Sequence, residues 1–419
     1  MVLGGGTGGT IVANRMRRLA GPEELELVVV DRDDVHVYQP GLLYVAFSQM
    51  APGALVRRRS RQLQPGIRFL TGEACAIDLS ARLVHLGERG DALAYDALVI
   101  ATGARLAPET TAGFAAGVAA GWVHTFYDPA GAESLAAALE SFEAGRLVVD
   151  IVDEPIKGPV SPLEFCILAD GFFRHRRRRS SVEITLVTPL GSAFNRPLAG
   201  AALAEVLAKH DVGVVAGFRT QAIDPEGRFL VSDDDRREPA DLAVVVARQV
   251  GAAFVSGTEG LADPRGFVVV DIHTLQSQAD PAVFAIGDAA ALPTLKAGTV
   301  AHFAAGVVAE NVVHFLRGEP PAARFDGHAT YLVETGDRTA LVVDFDYGTE
   351  HVGGRYRGPI GLPLLTPSRL AHLAKRMVPQ LYWRALLPAR HACALTPVAL
   401  FRAPTGATRP GRGETPGSG

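Results

Sequence analysis

The sequence predicts an α/β protein made of two Rossmann-like dinucleotide-binding units, followed by a strand pair and amphipathic helices at the C-terminus. Three observations carry this prediction. A short apolar strand, Met1–Leu3, runs straight into Gly4-Gly5-Gly6-Thr7-Gly8-Gly9. A second apolar strand, Leu25–Val30, ends on Asp31. Far along the chain, Phe284-Ala285-Ile286 leads into Gly287-Asp288.

The first turn is legible residue by residue. Gly4, Gly6 and Gly9 fit the G-x-G-x-x-G spacing: Gly4 allows the tight turn, Gly6 lets the backbone approach a pyrophosphate, and Gly9 lets helix and strand pack closely. The helix expected over Thr10–Met16 turns its unpaired N–H groups toward those phosphates, and Asp31, about 20 residues on, is placed to accept from a ribose hydroxyl. Only three residues precede Gly4, which points to a start upstream of Met1 and a clipped first strand. Tyr95–Ile100 reads as a buried strand, and the small residues Ala101-Thr102-Gly103 after it let the chain pass close to a cofactor. Together with Gly287 and Asp288, these pieces specify FAD.

The organisation that follows is a first FAD-binding part over 1–107, a second α/β unit over 108–266, the FAD-binding domain resumed over 267–325, a C-terminal region over 326–402 and a disordered tail over 403–419, where Gly, Pro, Thr and Arg accumulate. Strands are expected at Leu147–Val152, Val182–Val187 and Asp241–Val246, a long helix from just after Lys296 to about Leu316, and a strand pair at Ala329–Glu334 and Thr339–Tyr347. No glycine-rich turn follows Leu147–Val152, so NADH and NADPH are not the obvious electron donors.

Composition narrows the class. With 419 residues, 48% of them hydrophobic, the chain has ample core for two or three domains. A net charge of −4 argues against a nucleic-acid partner. No stretch approaches the roughly 20 apolar residues of a bilayer span, and the N-terminus has no signal-peptide pattern, so a cytoplasmic location is expected. Cys75, Cys166 and Cys393 are too scattered for a disulfide framework or a metal site, and each reads as a small buried hydrophobe.

The motifs His36–Tyr44, Lys157–Phe165, His273–Ser277, Lys296-Ala297-Gly298 and Phe325–His328 are similar to those of sulfide:quinone oxidoreductases and flavocytochrome c sulfide dehydrogenases, which have the disulfide-reductase-like fold. The resemblance covers about residues 1–390. It implies an FAD-dependent oxidoreductase with a quinone acceptor, and a cofactor site comprising Gly4, Gly6, Thr7, Gly9, Asp31, Arg32, Pro40, Ala101, Thr102, Gly103, Gly287, Asp288 and Lys296. The family oxidises sulfide with two cysteines flanking the flavin, since exchange through mixed sulfur intermediates needs nucleophilic sulfurs within reach of each other. Here those positions hold Gly158 and Tyr331. The expected function is therefore electron transfer through FAD from an unidentified small-molecule donor to a quinone or other acceptor, without cysteine chemistry. Relocated thiols, with Cys166 the best placed, or a non-catalytic FAD-binding protein are the alternatives.

Two residues are candidates for the chemistry. Lys296, just before a helix start, could set a positive charge at the flavin's pyrimidine edge, or be a solvated lysine. Glu164, in the first turn of the helix after Pro162, could act as acid or base, or simply be a favourable helix-start charge. Tyr331 could donate a hydrogen bond or only pack. Two basic features bear on partners. Arg174–Arg179 ends a helix and reads as a solvated cationic face. Residues 366–390 open with Thr366 as a cap and Pro367 at the first helical position, and Pro379 divides them into two short amphipathic helices carrying Leu370, Leu373, Ala374 and Met377 among Arg369, Lys375 and Arg376. That pattern suits a peripheral contact with the cytoplasmic membrane face, with the protein's own core or a homodimer mate as the competing partner.

Overall fold

The computed structural model describes residues 1–87, 91–351 and 361–389. The chain opens with β1 (Val2–Leu3), α1 (Thr7–Leu19), β2 (Leu27–Asp31), β3 (Ile67–Thr71) and β4 (Leu98–Ile100). It continues through β5 (Val123–His124), β6 (Gly145–Ile151), α2 (Ser161–His175), β7 (Val182–Val187), β8 (Val212–Val215) and β9 (Leu242–Val246). It then returns with β10 (Val283–Ala285) and α3 (Gly298–Leu316), and closes with the hairpin β11 (Ala329–Glu334) and β12 (Ala340–Phe345) and helix α4 (Arg369–Leu381).

Two parallel sheets result. The first has the order β10-β4-β1-β2-β3, with Val2 opposite both Val29 and Val99, and Val283 opposite Leu98. The second has the order β5-β9-β6-β7-β8, with Leu147 opposite both Ile184 and Leu242. Parallel strands covered on both faces need continuous apolar runs, and Leu27–Val30, Leu98–Ile100 and Leu242–Val246 are buried throughout. Crossing back from residue 246 to residue 283 places Asp288 at the carboxyl end of the first sheet, beside the glycine turn, where ligands of such sheets bind.

Several local expectations change. Helix α3 is, by length and composition, apolar enough to cross a bilayer. Its placement is that of a core helix: Val300, Ala304, Val308 and Val312 are buried, and the Asn311 amide donates to the Thr274 and Ala323 carbonyls at 3.0 and 2.9 Å. Helix α4 starts two residues later than the Thr366-Pro367 pattern suggested, because Ser368 is its cap, accepting from Ala371 N at 3.1 Å. Pro379 does not divide it. The helix passes through the proline to Leu381 and widens into a π turn over Tyr382–Leu386. The arginine run is solvated only in part: Arg174, His175 and Arg177 are exposed, while Arg174 and Arg179 bind the buried carboxylate of Asp170, and Arg176 pairs with Glu140 and lies over Phe172. Cys393 and the segment 403–419 lie outside the described residues.

Candidate functional site

The turn between β1 and α1 has the geometry its glycines promise. Gly4 sits at φ +99°, and a Cβ there would collide with the Ala101 carbonyl oxygen. A Cβ at Gly9 would strike the Gly4 carbonyl oxygen. Around Gly6, Gly103 and Gly298, by contrast, the space a Cβ would fill is open. They belong to the glycine turn, the residues after β4 and the start of α3, which adjoin where Gly4 meets Ala101 and Gly8 meets Ala301, and that junction is the candidate cradle. Asp31 accepts from Gly5 N at 2.7 Å and pairs with Arg59 at 3.2 Å, which orients its carboxylate at the edge of the turn. Arg32 points outward and pairs with Asp33 at 3.4 Å, and Pro40 is exposed in a 3₁₀ turn. Arg32 is nonetheless within electrostatic reach of Lys157.

Asp288 follows the last strand of the first sheet. It is half-buried, and its carboxylate accepts no hydrogen bond among the described residues. Burial raises its pKa against the pull of Lys296 and Lys157. The buried hydroxyls of Tyr331 and Thr299 also lack a protein partner. Buried polar atoms without partners are costly, so a carboxylate beside the glycine turn and unpartnered hydroxyls at this end of the molecule suit a polar ligand such as a dinucleotide. The residues present therefore fit FAD.

Lys296, suggested by the sequence as a flavin-edge cation, is tied to backbone carbonyls. Its ammonium donates to the Asp288 and Ala290 carbonyls at 2.7 and 3.2 Å and lies 3.6 Å over the Phe267 ring. Burial lowers its pKa to about 8. The lysine instead fixes the loop that carries Asp288, and its carbonyl accepts from Gly158 N at 2.8 Å. Lys157, next to Gly158, has no side-chain hydrogen-bond partner among the described residues, and its charge acts on Asp288.

Gly158 and Tyr331 come to the same end of the molecule. Gly158 is at φ +60° beside Lys296, and Tyr331 on β11 is buried, stacked on Phe345 and within electrostatic reach of Asp288 and Glu154. Glu164 is buried and fully engaged. Its Oε1 accepts from Glu334 N at 2.7 Å and from the Lys375 ammonium, which also donates to the Leu332 carbonyl at 2.7 Å. Glu334 extends the group, with His372 Nδ1 at 2.9 Å and Tyr44 OH at 3.3 Å. Two carboxylates, a lysine, a histidine and a tyrosine thus share one buried cluster between α2, β11 and α4. Sequence reasoning missed Glu334 and His372 because their partners lie far off in the chain. The only local sign was a histidine and a lysine on the otherwise inward face of α4.

The cysteines divide. Cys166 is fully buried in α2, and burial drives its thiol pKa far upward. Cys75 is exposed, contrary to the core reading, with Sγ against the His85 and Gly87 carbonyls on the small sheet beside the FAD-binding strands. After β6 the chain carries Asp153, ringed by Arg219, Arg248 and Arg265, where a pyrophosphate-binding glycine turn would lie. A cavity of about 580 Å³ lined by Arg146, Glu183 and Asp241 opens at the amino ends of β6–β8, the end opposite to where ligands of such sheets bind.

A family model described as pyridine nucleotide-disulphide oxidoreductase matches residues 1–307. The chain is 26% identical over 356 residues to the mitochondrial sulfide:quinone oxidoreductase of Mus musculus, covering 83% of this chain and 78% of that one. It is 25% identical to the type II NADH:quinone oxidoreductase of Haemophilus influenzae, over 81% and 86% of the two chains. The fold is similar to that of the sulfide:quinone oxidoreductase of Aquifex aeolicus, with a TM-score of 0.75, 20% identity, and coverage of 90% and 89%.

Proposed function

The chain belongs to the pyridine nucleotide-disulphide oxidoreductase family as an FAD-dependent oxidoreductase resembling sulfide:quinone oxidoreductase, and we propose that it passes electrons through FAD to a quinone without a cysteine pair. One observation carries the reading. The glycine turn for the dinucleotide is present, while the positions that the family resemblance gives to the sulfur-handling thiols hold Gly158, in a left-handed turn, and Tyr331, with an unpartnered hydroxyl. FAD, when bound, supplies the two-electron chemistry. Asp288 holds the ribityl chain, and Lys296 holds the Asp288 loop. Tyr331 closes the pocket and offers a hydroxyl, instead of a thiolate, to what enters it.

Reduction of a quinone consumes two electrons and two protons. The buried cluster of Glu164, Lys375, Glu334, His372 and Tyr44 holds several exchangeable protons directly under α4. On the outer face of α4, Leu370, Leu373 and Met377 are exposed and flanked by Arg369 and Arg376. An apolar stripe bordered by cations suits the headgroup level of an anionic membrane, where quinones reside. This supports a peripheral position on the cytoplasmic face of the membrane over packing of that stripe on the protein's own core. A homodimer mate is the competing partner for the same stripe.

The test is anaerobic reduction of the purified protein by sulfide, NADH, NADPH and quinols in turn, followed by reoxidation with a soluble quinone. Fast reoxidation by quinone together with slow reduction by sulfide is expected. Fast sulfide reduction abolished by Cys166→Ser would revive the relocated-thiol reading. A flavin that no donor or quinone touches would leave the binding-protein reading.

A further inference from the structure

The segment after α4 is fastened along α1 by a row of specific bonds. Tyr382 OH is 2.7 Å from Thr7 Oγ1 and 2.6 Å from His36 Nε2, and His36 Nδ1 is 3.2 Å from the Gly5 carbonyl. The carbonyl can only accept, so His36 carries its proton on Nδ1, and Nε2 accepts from the tyrosine. Tyr382 then spends its one proton on His36 and accepts from Thr7. The direction of every bond in the chain Thr7, Tyr382, His36, Gly5 is thereby determined.

Further along, Asn14 Nδ2 donates to the Leu387 carbonyl at 3.0 Å, Arg18 Nη2 to the Pro388 carbonyl at 3.0 Å and Gln64 Nε2 to the same carbonyl at 3.3 Å. Thr7, Asn14 and Arg18 are spaced by seven and four, so they form one stripe of α1. Tyr382 and Trp383 fill the space between that stripe and Tyr38, with Arg57 over the indole at 4.8 Å. Two residues of the pyrophosphate turn itself, Gly5 and Thr7, are held from outside by this strap, while Gly6 between them keeps open space above it.

We propose that residues 382–389 are a latch on the cofactor site, in which Tyr382, acting through Thr7 and His36, positions the glycine turn for the FAD pyrophosphate and sets how long FAD is retained. This rests on the FAD reading given above. Tyr382 is a positioning residue: it holds the turn and leaves the space for the phosphates free.

The experiment follows flavin release from the full-length holoprotein by recovery of free FAD fluorescence after dilution, for wild type, Tyr382→Phe and Met377→Gln. Tyr382→Phe keeps the ring and its packing but leaves His36 Nε2 and Thr7 without their partner, and release should quicken about five- to tenfold. Met377→Gln, on the exposed face of the preceding helix, should release at the wild-type rate. The stabilisation of the thermal midpoint by added FAD should also shrink in Tyr382→Phe, whereas a purely structural tyrosine would lower the midpoint equally with and without FAD. Wild-type release kinetics in Tyr382→Phe, or equal lowering of both midpoints, overturns the latch. A wild-type protein that purifies without FAD would instead overturn the reading on which the latch rests.

Discussion

Single side chains decide the chemistry open to this site. Asp288 is a carboxylate waiting for a partner, so Asp288→Ala should lower the FAD-to-protein ratio measured by absorbance after purification, while an unchanged ratio would remove its assignment. Installing the thiols is a second test. Gly158→Cys places a Cβ at φ +60° with Ser161 Oγ at 3.0 Å, and this conformation costs an L-residue roughly 1–2 kcal/mol. Tyr331→Cys removes a buried ring. Because two sulfurs act as a unit, the double variant should raise the stopped-flow rate of sulfide reduction more than either single change does. Asp150 is a different case, since it lies in the second sheet and is fully buried with one bond, from Thr220 Oγ1 at 2.8 Å. Burial raises its pKa from 3.8 to about 7. Between those values the folded protein holds a proton that the unfolded chain has released, so this contribution is present below about pH 4 and is lost as pH rises to about 7, by roughly 4 kcal/mol at most. Asp150→Asn should flatten the pH dependence of urea stability across that window. A variant with the wild-type slope would assign the slope elsewhere.

At the scale of elements, α4 does two things with opposite faces. Inward, Lys375 joins it to Glu164 on α2 and to Leu332 on β11. Lys375→Met leaves Glu164 buried without its cation, and a loss of about 3–5 kcal/mol in chemical denaturation is expected. Glu164→Gln combined with Lys375→Met should recover much of it, because the uncompensated charge is gone. Outward, Leu373 and Met377 are 55% and 48% exposed, so they do little for the fold. Leu373→Asp with Met377→Asp should leave the thermal midpoint near wild type and weaken binding to phosphatidylglycerol vesicles by tenfold or more, read by co-sedimentation. Undiminished vesicle binding would transfer the stripe to a protein partner. The sequence made the two-faced character of α4 visible through its spacing, and misjudged its ends. A cap two residues early and a proline read as a break are both local rules that packing overrode here.

The whole molecule arranges two similar sheets for unequal work. The first has its glycine turn and the open space above Gly6. In the second, the connection from β6 to α2 carries Asp153 and Glu154, and Asp153 already occupies three arginines. A pyrophosphate would meet a carboxylate there instead of free N–H groups. NADH and NADPH should therefore bleach the flavin slowly, and rapid bleaching by either at micromolar concentration would contradict this. The second sheet then serves to carry α2, with Glu164 and the Gly158 turn, to the edge of the first.

What could be read without coordinates is what local backbone geometry demands. Gly4, Gly6 and Gly9 are spaced by the requirements of one turn, continuous apolar runs mark strands buried on both faces, and the absence of thiols at 158 and 331 is a matter of identity alone. FAD and the two parallel sheets follow from these, and so does the proposal that the protein works without a cysteine pair. What only the tertiary structure decided is where polar side chains found partners. Lys296 stands close to Asp288 in sequence and was expected to face the flavin, yet its ammonium turned to backbone carbonyls. Glu164 found Lys375, and Thr7 found Tyr382, across hundreds of residues. A buried charge or hydroxyl takes whichever partner the packing of distant elements brings within about 3 Å, and no periodicity along the chain records that choice.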